Sequence, residues 1–198
     1  MRWREIESKV NSIDGWLLPG QAQWLFETAQ SLPDESVILE VGGYLGHSTA
    51  ALAYGCVGTS KHVFCVDTFC GNDTDFIDGK QFTGERFLWR WNDNLSRCSL
   101  LDYVSAMIGT SRSYYDKWTA KIDMLFIDGS HQYQDVLGDL CNFSKHVVPG
   151  GIVAMHDVTP LAPWQGPYQV WCKMAHTLLE ETHVTCGTLA YGFRRHEC

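Results

Sequence analysis

Short runs of consecutive apolar residues recur along the chain, at Val37-Ile38-Leu39, Val63-Phe64-Cys65-Val66, Tyr103-Val104, Met124-Leu125-Phe126-Ile127 and Ile152-Val153-Ala154-Met155. Apolar side chains on successive residues, rich in β-branched and aromatic types, are what strands covered on both faces require. Helical spacing fills the intervals. Gln21 to Leu32 follows Pro19-Gly20 and sets Trp24, Leu25, Thr28 and Ala29 on one side, and Val136, Leu137, Leu140 and Phe143 do the same ahead of His146. Thr83 to Arg97 places Phe87, Trp91 and Leu95 at steps of four, and Val170, Met174 and Leu178 predict a further helix over Tyr168 to Leu179. Strand and helix therefore alternate, which implies an α/β fold: a mostly parallel sheet with helices on both faces and right-handed crossovers. Ligands of such sheets bind beyond the carboxyl ends of the strands, so the residues that follow each apolar run are the candidates for chemistry.

After the first run, Glu40-Val41-Gly42-Gly43-Tyr44-Leu45-Gly46-His47-Ser48-Thr49 forms a glycine-rich turn that opens into a helix of Ala50 to Tyr54. Glycines let backbone approach a ligand, and free amides at a helix start favour electron-rich groups. The turn lacks the nicotinamide fingerprint, since Tyr44 and His47 stand where glycines would be needed, and no G-K-[ST] of a P-loop appears. A tight turn serving packing alone is the competing reading. The second run ends in Asp67, 21 residues beyond Gly46, where a ribose-binding carboxylate belongs in a βαβ nucleotide site. Loop and acid together predict a nucleoside ligand.

The third run leads into Ile108-Gly109-Thr110-Ser111, whose small residues leave room for a flat base; alternatively, Ser111 caps a helix over Ser111 to Trp118. The fourth run gives Ile127-Asp128-Gly129-Ser130-His131-Gln132-Tyr133 and the fifth Met155-His156-Asp157-Val158. Two carboxylates and two imidazoles thus converge from neighbouring strand ends, a set suited to Mg²⁺ or Mn²⁺ or to general-base work. The plainer alternative makes Asp128 a helix cap and His156 a satisfied, half-buried histidine.

Composition narrows the picture. With 198 residues, 45% apolar and 19% charged, the chain is an ordinary globular sequence rather than a disordered or fibrous one. Its length suits a single domain over 1–198, with an N-terminal helical segment at 1–35 and an insertion or lid at 70–100. A net charge of -8, with Arg194-Arg195-His196 as the one tight basic group, argues against a nucleic-acid partner. Charges in Met1-Arg2-Trp3-Arg4-Glu5 exclude a signal peptide, and no apolar stretch reaches the roughly 18 residues of a membrane span, so a cytoplasmic protein is expected. Eight cysteines stand apart without a Cys-x-x-Cys pair, and those within apolar runs, such as Cys65, read as small buried hydrophobes. Trp89 and Trp91 in the insertion either stack on an acceptor or form the insertion's own small core; exposed aromatics there are consistent with a homodimer.

The glycine turn, Val66-Asp67-Thr68-Phe69 with an Asn72-Asp73 loop, Ile127 to Tyr133, and Pro149-Gly150-Gly151 leading to His156-Asp157 together resemble a class I S-adenosylmethionine-dependent methyltransferase. They are most similar to the branch of bacterial O-methyltransferases that act on antibiotic sugars and related small molecules, and Asp14 to Gly20 fits that branch's upstream segment. The likeness covers roughly residues 12 to 195. It implies a three-layer Rossmann-like sandwich with sheet order 3-2-1-4-5-7-6 and an antiparallel last strand. It further implies that Glu40, Gly42, Gly43, Tyr44 and Gly46 hold the methionine part of S-adenosylmethionine, Asp67 the ribose, and Gly109, Thr110 and Ser111 the adenine, with Ser48, Thr68 and Asp128 at the same cofactor site. In metal-dependent members, acids after the fourth and fifth strands bind the ion, which points to Asp128 and Asp157, joined here by His156 where an acid often stands. His131 is the expected general base, with Asp128 as its catalytic companion. The acceptor is expected to be a small hydroxyl compound. Two departures accompany the likeness: Thr182 to Arg195 is short for two closing strands, and the segment before Ser12 is short. The alternatives are a metal-free enzyme with a histidine base and a non-catalytic cofactor-binding partner protein; an NAD-dependent oxidoreductase is disfavoured by the loop spacing.

Overall fold

The computed structural model describes residues 1–71, 76–77, 80–81 and 85–196. In chain order these form α1 (Glu7–Val10), α2 (Gln21–Ser31), β1 (Val37–Val41), α3 (His47–Cys56), β2 (His62–Asp67), β3 (Phe76–Ile77), β4 (Lys80–Gln81), α4 (Glu85–Arg97), β5 (Val104–Ile108), β6 (Ile122–Ile127), α5 (Tyr133–Phe143), β7 (Val147–Met155), α6 (Gly166–Leu178), β8 (Leu179–Thr185) and β9 (Leu189–Arg194). One sheet runs in the order β5-β2-β1-β6-β7-β9-β8. Its first five members are parallel, while β9 lies antiparallel to both β7 and β8. Counted within this sheet alone the order is 3-2-1-4-5-7-6, as expected. Strands β3 and β4 pair separately, with Phe76 opposite Gln81. The Asn72-Asp73 loop, and Thr83 at the expected start of α4, lie outside the described residues.

The consecutive apolar runs are explained by a sheet covered on both sides. In β6, Met124 and Phe126 join the core under α2, α3 and α4, while Leu125 and Ile127 join the core under α5 and α6. Ile38 and Leu39 of β1 divide in the same way. Successive residues point to opposite faces, and both faces are dry. On α2 the buried stripe is Ala22, Leu25, Phe26 and Ala29, rotated slightly from the expected one, with Trp24 partly buried against Tyr191 at 4.9 Å.

Three elements differ from expectation. Both closing strands are present and long, because α6 ends at Leu178 and β8 begins at once with Leu179, adding Leu179, Glu180 and Glu181 to the stretch expected to supply them. A tight turn through Cys186 and Gly187, both at positive φ, then returns the chain as β9. The expected helix over Ser111 to Trp118 is only a 3-10 turn, Ser111–Tyr114, closed by the Tyr114 hydroxyl donating to the Ile108 carbonyl at 2.8 Å. Trp91 belongs to the main core rather than to an insertion core: α4 lays Phe87, Trp91 and Leu95 against the face shared with α2 and α3, all fully buried, while Trp89 points outward at 61% exposure. Missing Cβ atoms make this docking possible, since one on Gly43 or Gly46 would sit 3.2–3.3 Å from the Trp91 ring.

Candidate active site

At the end of β1, Glu40 is a completely buried carboxylate. Its Oε2 accepts from the Thr49 hydroxyl at 2.5 Å, and that hydroxyl in turn accepts from the Trp91 indole N–H at 3.2 Å. An indole nitrogen only donates, so the single Thr49 proton is committed to Glu40. Oε1 is buried without a partner among the described residues. Burial pushes the carboxyl from the usual 4.5 up to about 7, against the opposing hydrogen bonds.

The glycine turn is held from two sides. Gly42 sits at φ +93°, and a Cβ there would collide with the Asp128 backbone; a Cβ on Gly43 would collide with Cys65 Sγ. Packing thus contributes to the need for glycine, as the plainer reading of the turn held. Asp67 Oδ2 accepts from Gly43 N at 2.7 Å and Tyr44 N at 2.9 Å, and Oδ1 from Phe69 N at 2.6 Å. Asp67 therefore braces the turn first, and of roughly four carboxylate acceptor positions about one remains for a ligand. Tyr44, at a left-handed φ of 45°, stacks on Trp16 (4.4 Å) and meets Phe87 at a tilt of 47° (5.5 Å). Ser48 is buried in the first turn of α3, and Thr68 is exposed just past β2. Gly109 N donates to Asp67 O at 2.9 Å, which brings the Gly109, Thr110 and Ser111 segment beside the end of β2.

The ends of β6 and β7 bring Asp128, His131, His156 and Asp157 together. His156 Nδ1 lies 3.1 Å from Asp128 Oδ1 and 3.4 Å from Asp157 Oδ2, without forming a hydrogen bond of good geometry to either. Burial alone would lower the His156 pKa; the two carboxylates outweigh it and push it up to about 10. Asp157, partly buried, is nonetheless held well below the usual carboxylate range by His131 and His156. His131 Nε2 is 2.9 Å from Asp157 Oδ2, and its ring stacks on Trp164 at 4.9 Å and 19°. Asp128 does not cap α5, whose N-cap is Gln132. One donor atom each from Asp128, His156 and Asp157 lie within 4.8 Å of one another. Two carboxylates and an imidazole fit a divalent ion such as Mn²⁺ by number and type. The orphaned Glu40 oxygen and the glycine cradle fit S-adenosylmethionine, whose amino-acid end carries the positive charge that such an oxygen lacks.

Two further side chains escaped the sequence reading. His47, the first residue of α3, has both ring nitrogens buried without a partner; burial lowers its pKa, although Asp14 and Asp128 stand near enough to oppose this. Its position inside the glycine turn was the available signal. Gln21, completely buried at the start of α2, meets His156 Nε2 at 2.8 Å across 135 residues of sequence, for which no local signal exists.

A family model described as "Methyltransferase domain" matches residues 39–158, and the chain belongs to that family. Its sheet is that of a class I S-adenosylmethionine-dependent methyltransferase. Among solved structures it is similar to cofactor-bound Rv0187 from MTB, with 15% identity, a TM-score of 0.69, and 98% of this chain and 89% of that chain covered. It is also similar to an O-methyltransferase from Bacillus cereus solved with SAH (18%, TM-score 0.66, 96% and 88%). A third is the O-methyltransferase TomG of Streptomyces achromogenes, solved with SAM (16%, TM-score 0.65, 91% and 82%). At these identities the likeness speaks for the fold. No helix among the described residues is long and apolar enough to cross a membrane.

Proposed function

We propose that the protein moves the methyl group of S-adenosylmethionine onto a hydroxyl oxygen of a small molecule, assisted by Mg²⁺ or Mn²⁺ held by Asp128, His156 and Asp157. The observation that carries this reading is the clustering of those three donors within 4.8 Å, on strand ends adjoining a glycine turn that touches the Asp128 backbone. When bound, S-adenosylmethionine supplies a methyl group activated on a sulfonium, and the ion supplies Lewis-acid help to a hydroxyl too weakly acidic to ionise at neutral pH.

The chain's own residues do the rest. Glu40 Oε1 receives the ammonium of the methionine part, with Gly42, Gly43, Tyr44, Gly46 and Ser48 around it. Asp67 and Thr68 serve the ribose, and Gly109, Thr110 and Ser111 flank the base. Because Asp157 stays ionised and accepts, His131 Nε2 is the donor in their hydrogen bond, and Nδ1 is left as the basic atom that takes the acceptor's proton. A net charge of -8 and free cysteines support a cytoplasmic enzyme acting on small molecules rather than on nucleic acid.

The test is calorimetry of the metal-stripped protein with S-adenosylmethionine, with and without Mg²⁺ or Mn²⁺, followed by transfer assays on a panel of hydroxyl compounds. Binding, and transfer that EDTA abolishes and metal restores, is the expected result. Full transfer after verified metal removal would leave His131 working alone. Binding without transfer to any acceptor would favour a non-catalytic partner protein. His131→Ala should lower turnover about a hundredfold with cofactor affinity unchanged; lost cofactor affinity would make its role structural.

A further inference from the structure

We infer that Gln21 is a positioning residue of the proposed ion site: from the start of α2 it keeps the proton of His156 on Nε2, so that Nδ1 is the nitrogen offered to Asp128 and Asp157. The inference rests on the proposed function for its ion, but its geometry is independent of it.

The orientation of the Gln21 amide is fixed by partners that have no choice of role. Leu18 N, a backbone donor, lies 2.6 Å from Oε1, so Oε1 is the carbonyl. Cys186 O, a backbone acceptor, lies 3.1 Å from Nε2, which also reaches Thr188 Oγ1 at 3.1 Å. The side chain is therefore satisfied at both ends and cannot flip without leaving two backbone groups unpaired. Its carbonyl faces His156 Nε2 at 2.8 Å, and only a protonated Nε2 can answer it. The alternative neutral imidazole, with its proton on Nδ1, would set two acceptors against each other inside a fully buried contact and would block the side turned toward the acids.

The same arrangement gives the closing β8–β9 turn a task. Cys186 and Thr188 lie in that turn, which reaches over the start of α2 and holds the amide that holds the histidine. An imidazole ligand whose second nitrogen donates to a fixed carbonyl is oriented and made a better ligand.

The decisive measurement is ¹⁵N NMR of the histidine rings. The wild type is expected to show a protonated His156 Nε2 both without metal and saturated with Mg²⁺, with Nδ1 free of a proton when the ion is present. An unprotonated Nε2 in either spectrum overturns the inference. Alongside it, Mn²⁺ titration should show affinity lowered about tenfold or more in Gln21→Leu. Gln21→Glu, which keeps an acceptor facing Nε2, and Thr188→Val, which leaves Oε1 in place, should both remain within about threefold of wild type. S-adenosylhomocysteine affinity should stay nearly unchanged in every folded variant, separating local loss from general damage. Folded Gln21→Leu that binds Mn²⁺ as tightly as wild type refutes the positioning role. If the leucine variant does not fold, equal losses in the other two variants refute it instead. A wild type that binds neither ion removes the metal from the proposed function and the positioning role with it, whereas a wild type that binds metal with an unprotonated Nε2 overturns this inference alone.

Discussion

Two ionisable side chains are buried on neighbouring strands, one at each end of the sheet, and they are treated in opposite ways. Lys61, immediately before β2, is 3% exposed and gives its ammonium to the carbonyls of Ala29, Gln30 and Leu32 at 2.8, 3.0 and 3.2 Å. These are carbonyls at the end of α2, where the helix leaves acceptors unpaired and its dipole favours a cation. Every proton of Lys61 has a partner, and the residue staples α2 to the sheet. Glu40, in β1 near its carboxyl end, has one oxygen satisfied through Thr49 and one left over. Burying a polar atom without a partner costs free energy, so the leftover oxygen marks a place where the fold is incomplete without a ligand. A charge whose partners are all intramolecular reports structure; one with a missing partner reports function.

The sharpest way to break this contrast is Glu40→Gln. Because the Thr49 proton must be accepted, the amide oxygen takes the place of Oε2 and the NH₂ takes the place of Oε1, presenting donors to the cofactor's ammonium. Cofactor affinity measured by calorimetry at pH 8 should fall about a hundredfold or more, the scale of losing a charge-assisted contact and meeting a wrong one. An unchanged affinity would end the claim that Oε1 is a ligand position.

Glu40 also predicts a pH dependence. Its carboxyl titrates near 7 in the fold instead of 4.5, so the folded state holds that proton more tightly than the unfolded state. The resulting stabilisation is complete below about pH 4.5 and is lost as pH rises through 7; a gap of this size corresponds to about 3 kcal/mol at most. Denaturant melts of cofactor-free protein between pH 5 and 8 should show the decline, and Glu40→Gln should lack that part of it. Parallel profiles for the two proteins would mean that the carboxyl is more solvated than its burial suggests. Lys61→Met should show the complementary behaviour: about 2 kcal/mol less stability from the carbonyls left unpaired, and cofactor affinity unchanged.

How far the sequence reveals this arrangement depends on how local each cause is. The central strands were legible because a strand covered on both faces must be apolar at every position, and the acids at their ends followed from the topology alone. The start of β8 was not, because an edge strand buries little: only Leu179 is fully covered, and it continues the apolar spacing of α6, which leaves Glu180 and Glu181 outside the expected closing strands. Steps of four revealed α4 as a helix, but they carry no information about which core receives its apolar side, and neither role open to Trp91 from the sequence is the main-core position it takes. Of the proposed ion site, Asp128, His156 and Asp157 stand out by position, whereas Gln21 does not, since its reason for being there arrives only when β8 and β9 fold over α2. Asp67 was found for a ribose, and the structure adds that it braces the turn itself.

The smallest effect, and the finest test of the contrast, belongs to Trp91→Phe. Phenylalanine keeps an aromatic ring under the glycine turn but is three ring atoms smaller, so the indole N–H is removed together with part of the packing. Thr49 then has no donor pointing at it and is free to rotate its proton away from Glu40 Oε2. If the commitment of that proton is what leaves Oε1 as the open oxygen, cofactor affinity should fall about fivefold, close to the value of one neutral hydrogen bond, with about 1–2 kcal/mol of stability lost to the smaller ring. The double variant with Thr49→Val should then bind no more weakly than Thr49→Val alone, since the indole acts only through the hydroxyl. Additive losses would mean instead that Trp91 supports the turn by packing, and Glu40 would owe its open oxygen to burial and not to the chain of donors behind it.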